Sequence, residues 1–139
     1  VVASRAVAHG LDPPLLASAG LGAAVRAVER MSPIDLRVSA DGLGRYGRTA
    51  EEAAYFCVLE TVERARMSGA SAASASVVAS GADLVVSLDI GGCTTALDLT
   101  SVTDRIDAAG GTTTLEARPG GETRITGILP VSETVLEPA

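Results

Sequence analysis

The chain has 139 residues, of which 47% are hydrophobic, 20% charged and only 2% aromatic, with a net charge of −6 and a pI near 4.7. That length fits one domain, and that apolar share excludes a disordered acidic tail. All eleven basic residues are Arg, and Lys, Asn, Gln and Trp are absent, which removes the Lys of a P-loop and any magnesium site that needs an Asn.

One His (His9) and two Cys (Cys57, Cys93) cannot build a four-ligand His/Cys zinc site. The acidic balance and the scattering of Arg26, Arg37, Arg64, Arg105 and Arg124 speak against nucleic acid as a partner. No apolar run approaches a membrane span, and no basic-then-apolar signal opens the chain. Two Cys without a spacing motif read as reduced thiols of a cytoplasmic protein, Cys57 in the core and Cys93 in a loop. The sequence starts at Val1 without Met and is read as a fragment of a longer protein.

In chain order, Asp12-Pro13-Pro14 opens a short helix, Gly20 and Gly22 interrupt it, and a second helix runs to about Arg30 before Ser32-Pro33. Leu36, Val38 and Ala40 alternate with polar residues as a half-buried strand does. Thr49-Ala50-Glu51-Glu52 has the form of a capping box, opening a helix to about Met67 with Tyr55, Val58, Leu59, Val62 and Ala65 as its apolar stripe. Glu60 and Arg64 fall on another face, with Phe56. Strands are expected over residues 73–79 and 84–90, joined by a turn at Gly81-Ala82-Asp83. The second carries Leu84, Val86, Leu88 and Ile90 on one side, and Val85, Ser87 and Asp89 on the other. Leu99, Val102, Ile106 and Ala109 then give a short helix closed by Gly110-Gly111. Residues 112–118 and 123–129 form a last hairpin around Pro119-Gly120-Gly121. This order predicts an α+β two-layer sandwich, a mixed sheet with helices on one face. Its divisions are 1–30 (a connecting helical segment), 31–131 (the main domain) and 132–139 (a frayed acidic tail).

Asp89, at the end of a core strand directly before Ile90-Gly91-Gly92, is the residue that stands out chemically. Beside backbone that glycine leaves open, its carboxylate can accept a hydrogen bond from a ligand's amino group, or it can cap its own turn.

The ordered set of motifs resembles the ATP-binding domain of sensor histidine kinases, in the subfamily that pairs with NarL/LuxR-type response regulators. Gly10-Leu11-Asp12-Pro13-Pro14 with Gly20-Leu21-Gly22 resembles the stretch that joins dimerisation helices to the ATPase domain, with Asp12 where His is common. Ala53-Ala54-Tyr55-Phe56-Cys57-Val58-Leu59-Glu60 resembles the start of the N-box helix, and Asp89-Ile90-Gly91 the first glycine box. Residues 104–111 resemble the helix and Gly-Gly after the ATP lid, and Gly120-Gly121-Glu122-Thr123-Arg124 the closing hairpin.

The resemblance implies the Bergerat-type (GHKL) α/β sandwich, and makes residues 1–30 the end of a dimerisation region with its connecting helix. It implies that Asp89 holds the adenine amino group with Thr123 in support, that Gly91 lets adenine approach the backbone, and that Glu60 is the N-box acid. Three departures shape the expected function. Arg64 (or Glu63, if the helix slips by one residue) stands where the family has its magnesium-binding Asn, so magnesium is not expected. Cys93 replaces the third glycine of the first box, and only Thr94-Thr95-Ala96-Leu97 remain of the lid. His9 reads as a surface or packing residue and not as a phosphoacceptor. Glu60 and Arg64 read as an i,i+4 ion pair in the space of the metal.

The expectation is a degenerate kinase ATP-binding domain, in which Asp89, Gly91 and Thr123 keep weak ATP or ADP recognition. It would act in signalling as an interaction or nucleotide-sensing module toward a response regulator or a partner kinase. No nucleic-acid or membrane contact by this fragment is expected. One alternative is an active domain that phosphorylates a His outside this fragment. Another is a purely protein-binding domain, a homodimer through the residues before Arg30.

Overall fold

A computed structural model of the protein describes residues 14–131. The expected readings of His9, of Asp12 and Pro13, and of the tail at 132–139 lie outside the described residues.

Helix α1 (Pro14–Ala19) and helix α2 (Leu21–Met31) are separated at Gly20, whose φ of +94° no other residue type adopts cheaply. α2 buries Leu21, Ala24, Val25 and Val28. Strand β1 (Asp35–Ser39) follows, then the long helix α3 (Arg48–Met67) and strand β2 (Ala72–Ser80), which pairs parallel with β1. Gly81 and Ala82 turn the chain into strand β3 (Asp83–Gly91), antiparallel to β2, with Gly81 supplying the positive φ of a two-residue hairpin loop. Helix α4 (Thr100–Ala108) leads to strand β4 (Thr112–Arg118), and a 3-10 turn at Pro119–Gly121 to strand β5 (Glu122–Pro130). The five strands stand in the order β1-β2-β3-β5-β4. The mixed α+β sandwich expected from the sequence is the observed architecture.

The start of α3 differs from the expectation. The helix begins at Arg48 after Gly47 and has no side-chain cap, so Thr49 already holds helical backbone angles and cannot act as N-cap. Glu52 instead accepts from Arg48 Nε (3.0 Å). Glu51, only 4% exposed, turns inward and accepts the Tyr46 N–H (2.8 Å) and Arg45 Nε (3.3 Å). Arg45 in turn donates to the Ala17 carbonyl (3.0 Å), so one buried carboxylate ties the 41–47 loop and α1 to α3.

The core lies between the helices and one face of the sheet. Leu84, Val86, Leu88 and Ile90 of β3 and Ile125 and Leu129 of β5 meet Val58 and Val62 of α3 and Val102 and Ile106 of α4, all nearly inaccessible. α4 sits low on the sheet because Gly127 lies under it: a Cβ there would stand 2.6 Å from Ile106 Cδ1.

Candidate functional site

The end of β3 is where sequence and fold both concentrate candidate chemistry. Side chains alternate along a strand, so Leu88 and Ile90, buried against the helices, put Asp89 on the opposite, open face of the sheet. There its cross-strand neighbour is Arg124. Arg124 Nε donates to Asp89 Oδ1 (2.8 Å) and Nη2 to Oδ2 (2.9 Å), a two-pronged pair that takes both carboxylate oxygens. The Arg124 hydrogen bond holds the Asp89 carboxyl below the usual carboxylate range, against a smaller desolvation effect, with the charges of Arg124 and Arg118 acting the same way as the bond.

Thr123 pairs with Ile90, not with Asp89, and shares the helix-side face with Ile125. The two side chains expected to share an adenine ring, Asp89 and Thr123, thus stand on opposite faces of the sheet. A carboxylate and a hydroxyl that converge on one ring must face one cavity, and a one-residue offset on a pleated strand puts them on opposite sides. The residue of β3 that faces the same way as Thr123 is Ile90, 1% exposed in the core.

Gly91 is half-buried, and a Cβ on it would meet only the Glu122 side chain, Cγ at 3.6 Å and Oε2 at 3.7 Å, both ordinary contacts. Gly92 is the more constrained of the two: its φ is +85° and a Cβ would lie 2.6 Å from Ser71 Oγ. The pair therefore serves the exit of the chain from β3.

The stretch of α3 around Glu60 is tied to α4 by side-chain contacts. Arg64 Nε donates to Glu60 Oε2 (2.8 Å) one turn earlier on α3. Ser101 Oγ of α4 donates to the same oxygen (3.1 Å). One turn back, the guanidinium of Arg105 stacks 4.3 Å from the centre of the Phe56 ring. The expected i,i+4 ion pair is thus formed, and α4 is fastened over it. The short loop after β3 is fixed as well. The N–H groups of Thr94 (2.7 Å) and Thr95 (3.2 Å) donate to the Ser68 carbonyl, and Ser68 Oγ donates to the Ala96 carbonyl (2.9 Å). Asp98 accepts from the Thr100 hydroxyl (2.7 Å) and N–H (3.0 Å) at the start of α4. Those bonds lower its carboxyl below the usual range, with the charge of Arg64 adding to the effect.

Magnesium takes hard oxygen ligands, and the group beside Glu60 is a guanidinium, which only donates. Among the described residues, no three His, Cys, Asp or Glu side chains come together as a metal site. Two N–H groups of the short loop, those of Thr94 and Thr95, already bond to Ser68. The residues present do not fit a magnesium-bound triphosphate. Two clefts open elsewhere. One of about 320 Å³ lies by Leu16, Ala17, Arg45, Tyr46 and Glu51, and one of about 130 Å³ by Thr49, Glu52, Ala53, Arg105 and Ala108. Neither is lined by Asp89, Thr123 or Glu60.

Two partners were not singled out from the sequence. Arg124 was readable from strict alternation across the last hairpin and β3. Ser101, on a separate helix 41 residues from Glu60, left no sequence signal. Cys57, in the core of α3, has its thiol pushed up to about 12 by burial, with a smaller opposing effect from the Thr61 hydroxyl.

No protein-family model and no curated protein sequence matches the chain. Solved structures do. The ATP-binding domain of PrrB from Mycobacterium tuberculosis aligns with a TM-score of 0.60 at 25% identity, over 81% of this chain and 92% of that one. The histidine kinase domain of the Escherichia coli osmosensor EnvZ aligns at 0.61 and 16%, over 82% and 85%. The histidine kinase domain of the blue-light-activated EL346 from Erythrobacter litoralis aligns at 0.60 and 20%, over 81% of this chain and 62% of that one. The chain has the fold of histidine kinase ATP-binding domains. No helix among the described residues is long and apolar enough to cross a membrane.

Proposed function

We propose that this chain is a histidine-kinase-type ATP-binding domain that has given up phosphoryl transfer and works in two-component signalling as an interaction module. Its partner is a response regulator of the NarL/LuxR type or a second kinase, and its place is the cytoplasm. The observation that carries this reading is the contact set at Glu60: Arg64 on it at 2.8 Å, with Ser101 of α4 on the same oxygen. A cation that belongs to the protein stands where the fold would otherwise recruit one with its nucleotide, and it offers no ligand atom. The engagement of Asp89 by Arg124 supports the same reading and weighs against residual adenine recognition through Asp89, Gly91 and Thr123. The active-kinase alternative has no comparable support, because it needs phosphate charge neutralised at this position.

Titration calorimetry with ATP and ADP, with and without magnesium, tests the proposal directly. No saturable heat is expected. Thermal unfolding is the second readout: a ligand at about 100 times its Kd stabilises by about 2.7 kcal/mol, several degrees for a domain of this size. A magnesium-dependent isotherm, or transfer of labelled phosphate to a supplied dimerisation domain, overturns the reading.

A further inference from the structure

The helices cover one face of the sheet, and the register arranges the other face in rows. One row holds Arg37, Ser74, Asp89, Arg124 and Glu116, one from each strand from β1 to β4. The next holds only hydroxyls: Ser39, Ser76, Ser87, Thr126 and Thr114. The third is largely apolar, with Val78, Val85 and Ile128 beside Thr112. Val78 and Ile128 are 45% and 38% exposed, large values for side chains of this kind. Side chains this small, Arg and Glu apart, leave a surface another sheet can approach to the usual distance of about 10 Å.

We propose that this face binds a second copy of the chain, about a two-fold axis that runs parallel to the strands between β3 and β5. The charge pattern selects that axis. Rotation about it exchanges β3 with β5 and keeps every row level. Asp89 then faces Arg124 of the second copy and Arg124 faces its Asp89. Ser87 meets Thr126, and Val85 meets Ile128. An in-plane axis along the charged row would set Arg124 against Arg124 and Asp89 against Asp89, which is repulsive. The interleaving of both signs gives no single-sign field for a polyanion or a membrane surface. With β3 and β5 exchanged, four strands overlap over about 14 Å by 14 Å in three rows, below the usual range of specific interfaces, so the dimer is transient and concentration-dependent.

Sedimentation velocity on the full chain tests this without nucleotide, so its outcome is independent of the ATP titration. The wild-type average mass should rise toward twice the monomer value with concentration. Asp89→Arg and Arg124→Asp should each remain monomeric, since each makes the exchanged pair like-charged. An equimolar mixture of the two should regain association, because the basic face of one variant meets the acidic face of the other. Ile128→Asp, at an exposed position, should lose association with the fold retained by circular dichroism. A wild type that stays monomeric to millimolar concentration overturns the proposal. So does association that survives either charge reversal or Ile128→Asp, or a mixture of folded variants that does not associate.

Discussion

Glu51 is the polar residue whose loss the fold should feel most. Its carboxylate is 4% exposed and accepts the Tyr46 N–H at 2.8 Å and Arg45 Nε at 3.3 Å. Glu51→Ala removes a charge-assisted hydrogen bond, a contribution of about 1.5–3 kcal/mol, and leaves the Tyr46 N–H without its acceptor in a partly buried loop. The Arg45 contact adds little, because that side chain is 55% exposed. The expected loss is about 3 kcal/mol, or roughly 10–15 °C in Tm for a domain of this length. Glu51→Gln keeps an oxygen for the Tyr46 N–H without the charge and should recover about half of that loss. Arg45→Ala should cost under about 1 kcal/mol. Urea and thermal unfolding followed by circular dichroism measure all three. A Glu51→Ala variant within about 0.5 kcal/mol of wild type would refute the reasoning, as would Glu51→Gln falling as far as Glu51→Ala.

Three further outcomes are expected. Gly127→Ala should destabilise by about 1–3 kcal/mol, since its Cβ would stand 2.6 Å from Ile106 Cδ1; Ile106→Val, harmful alone, should relieve it, and simple additivity of the two changes in unfolding free energy would count against the seat described. Native protein at pH 8 should offer one thiol to an aromatic disulfide reagent, the half-buried Cys93. The buried Cys57, its thiol pushed up to about 12, should react only on unfolding, and equal rates for the two would contradict this. Asp89→Asn should lower stability near neutral pH and converge with wild type in acid. A carboxyl held low when folded contributes fully above its unfolded pKa of about 3.9, and that contribution fades as pH falls through the lower folded value. A difference that stays undiminished as pH falls from neutral into acid would show that the Arg124 pair is not its source.

How far the sequence reached depends on the range of each interaction. The order and type of the elements followed from local patterns: glycine at the α1–α2 break, period two in β3, and glycine pairs after β3 and α4. The N-box pair was equally legible, since Glu60 and Arg64 meet within one turn of one helix. The capping box failed for a local reason with a tertiary cause. Thr49 and Glu52 have the right spacing, yet burial of Glu51 beneath the 41–47 loop sets where α3 begins.

The composition by itself determined that no Asn could serve a magnesium ion in any register and that every cation would be a guanidinium. The order of the motifs along the chain carried the resemblance, which the solved kinase domains bear out at the level of fold. Alternation along β3 already put Asp89 on the face away from the core; only the tertiary structure decided which strand lies beside it and that Arg124 takes its carboxylate. Motif matching counts residues along a strand, whereas a pleated strand reverses direction at each one. The register between β3 and β5 therefore set Arg124 beside Asp89 on the open face and the buried Ile90 beside Thr123.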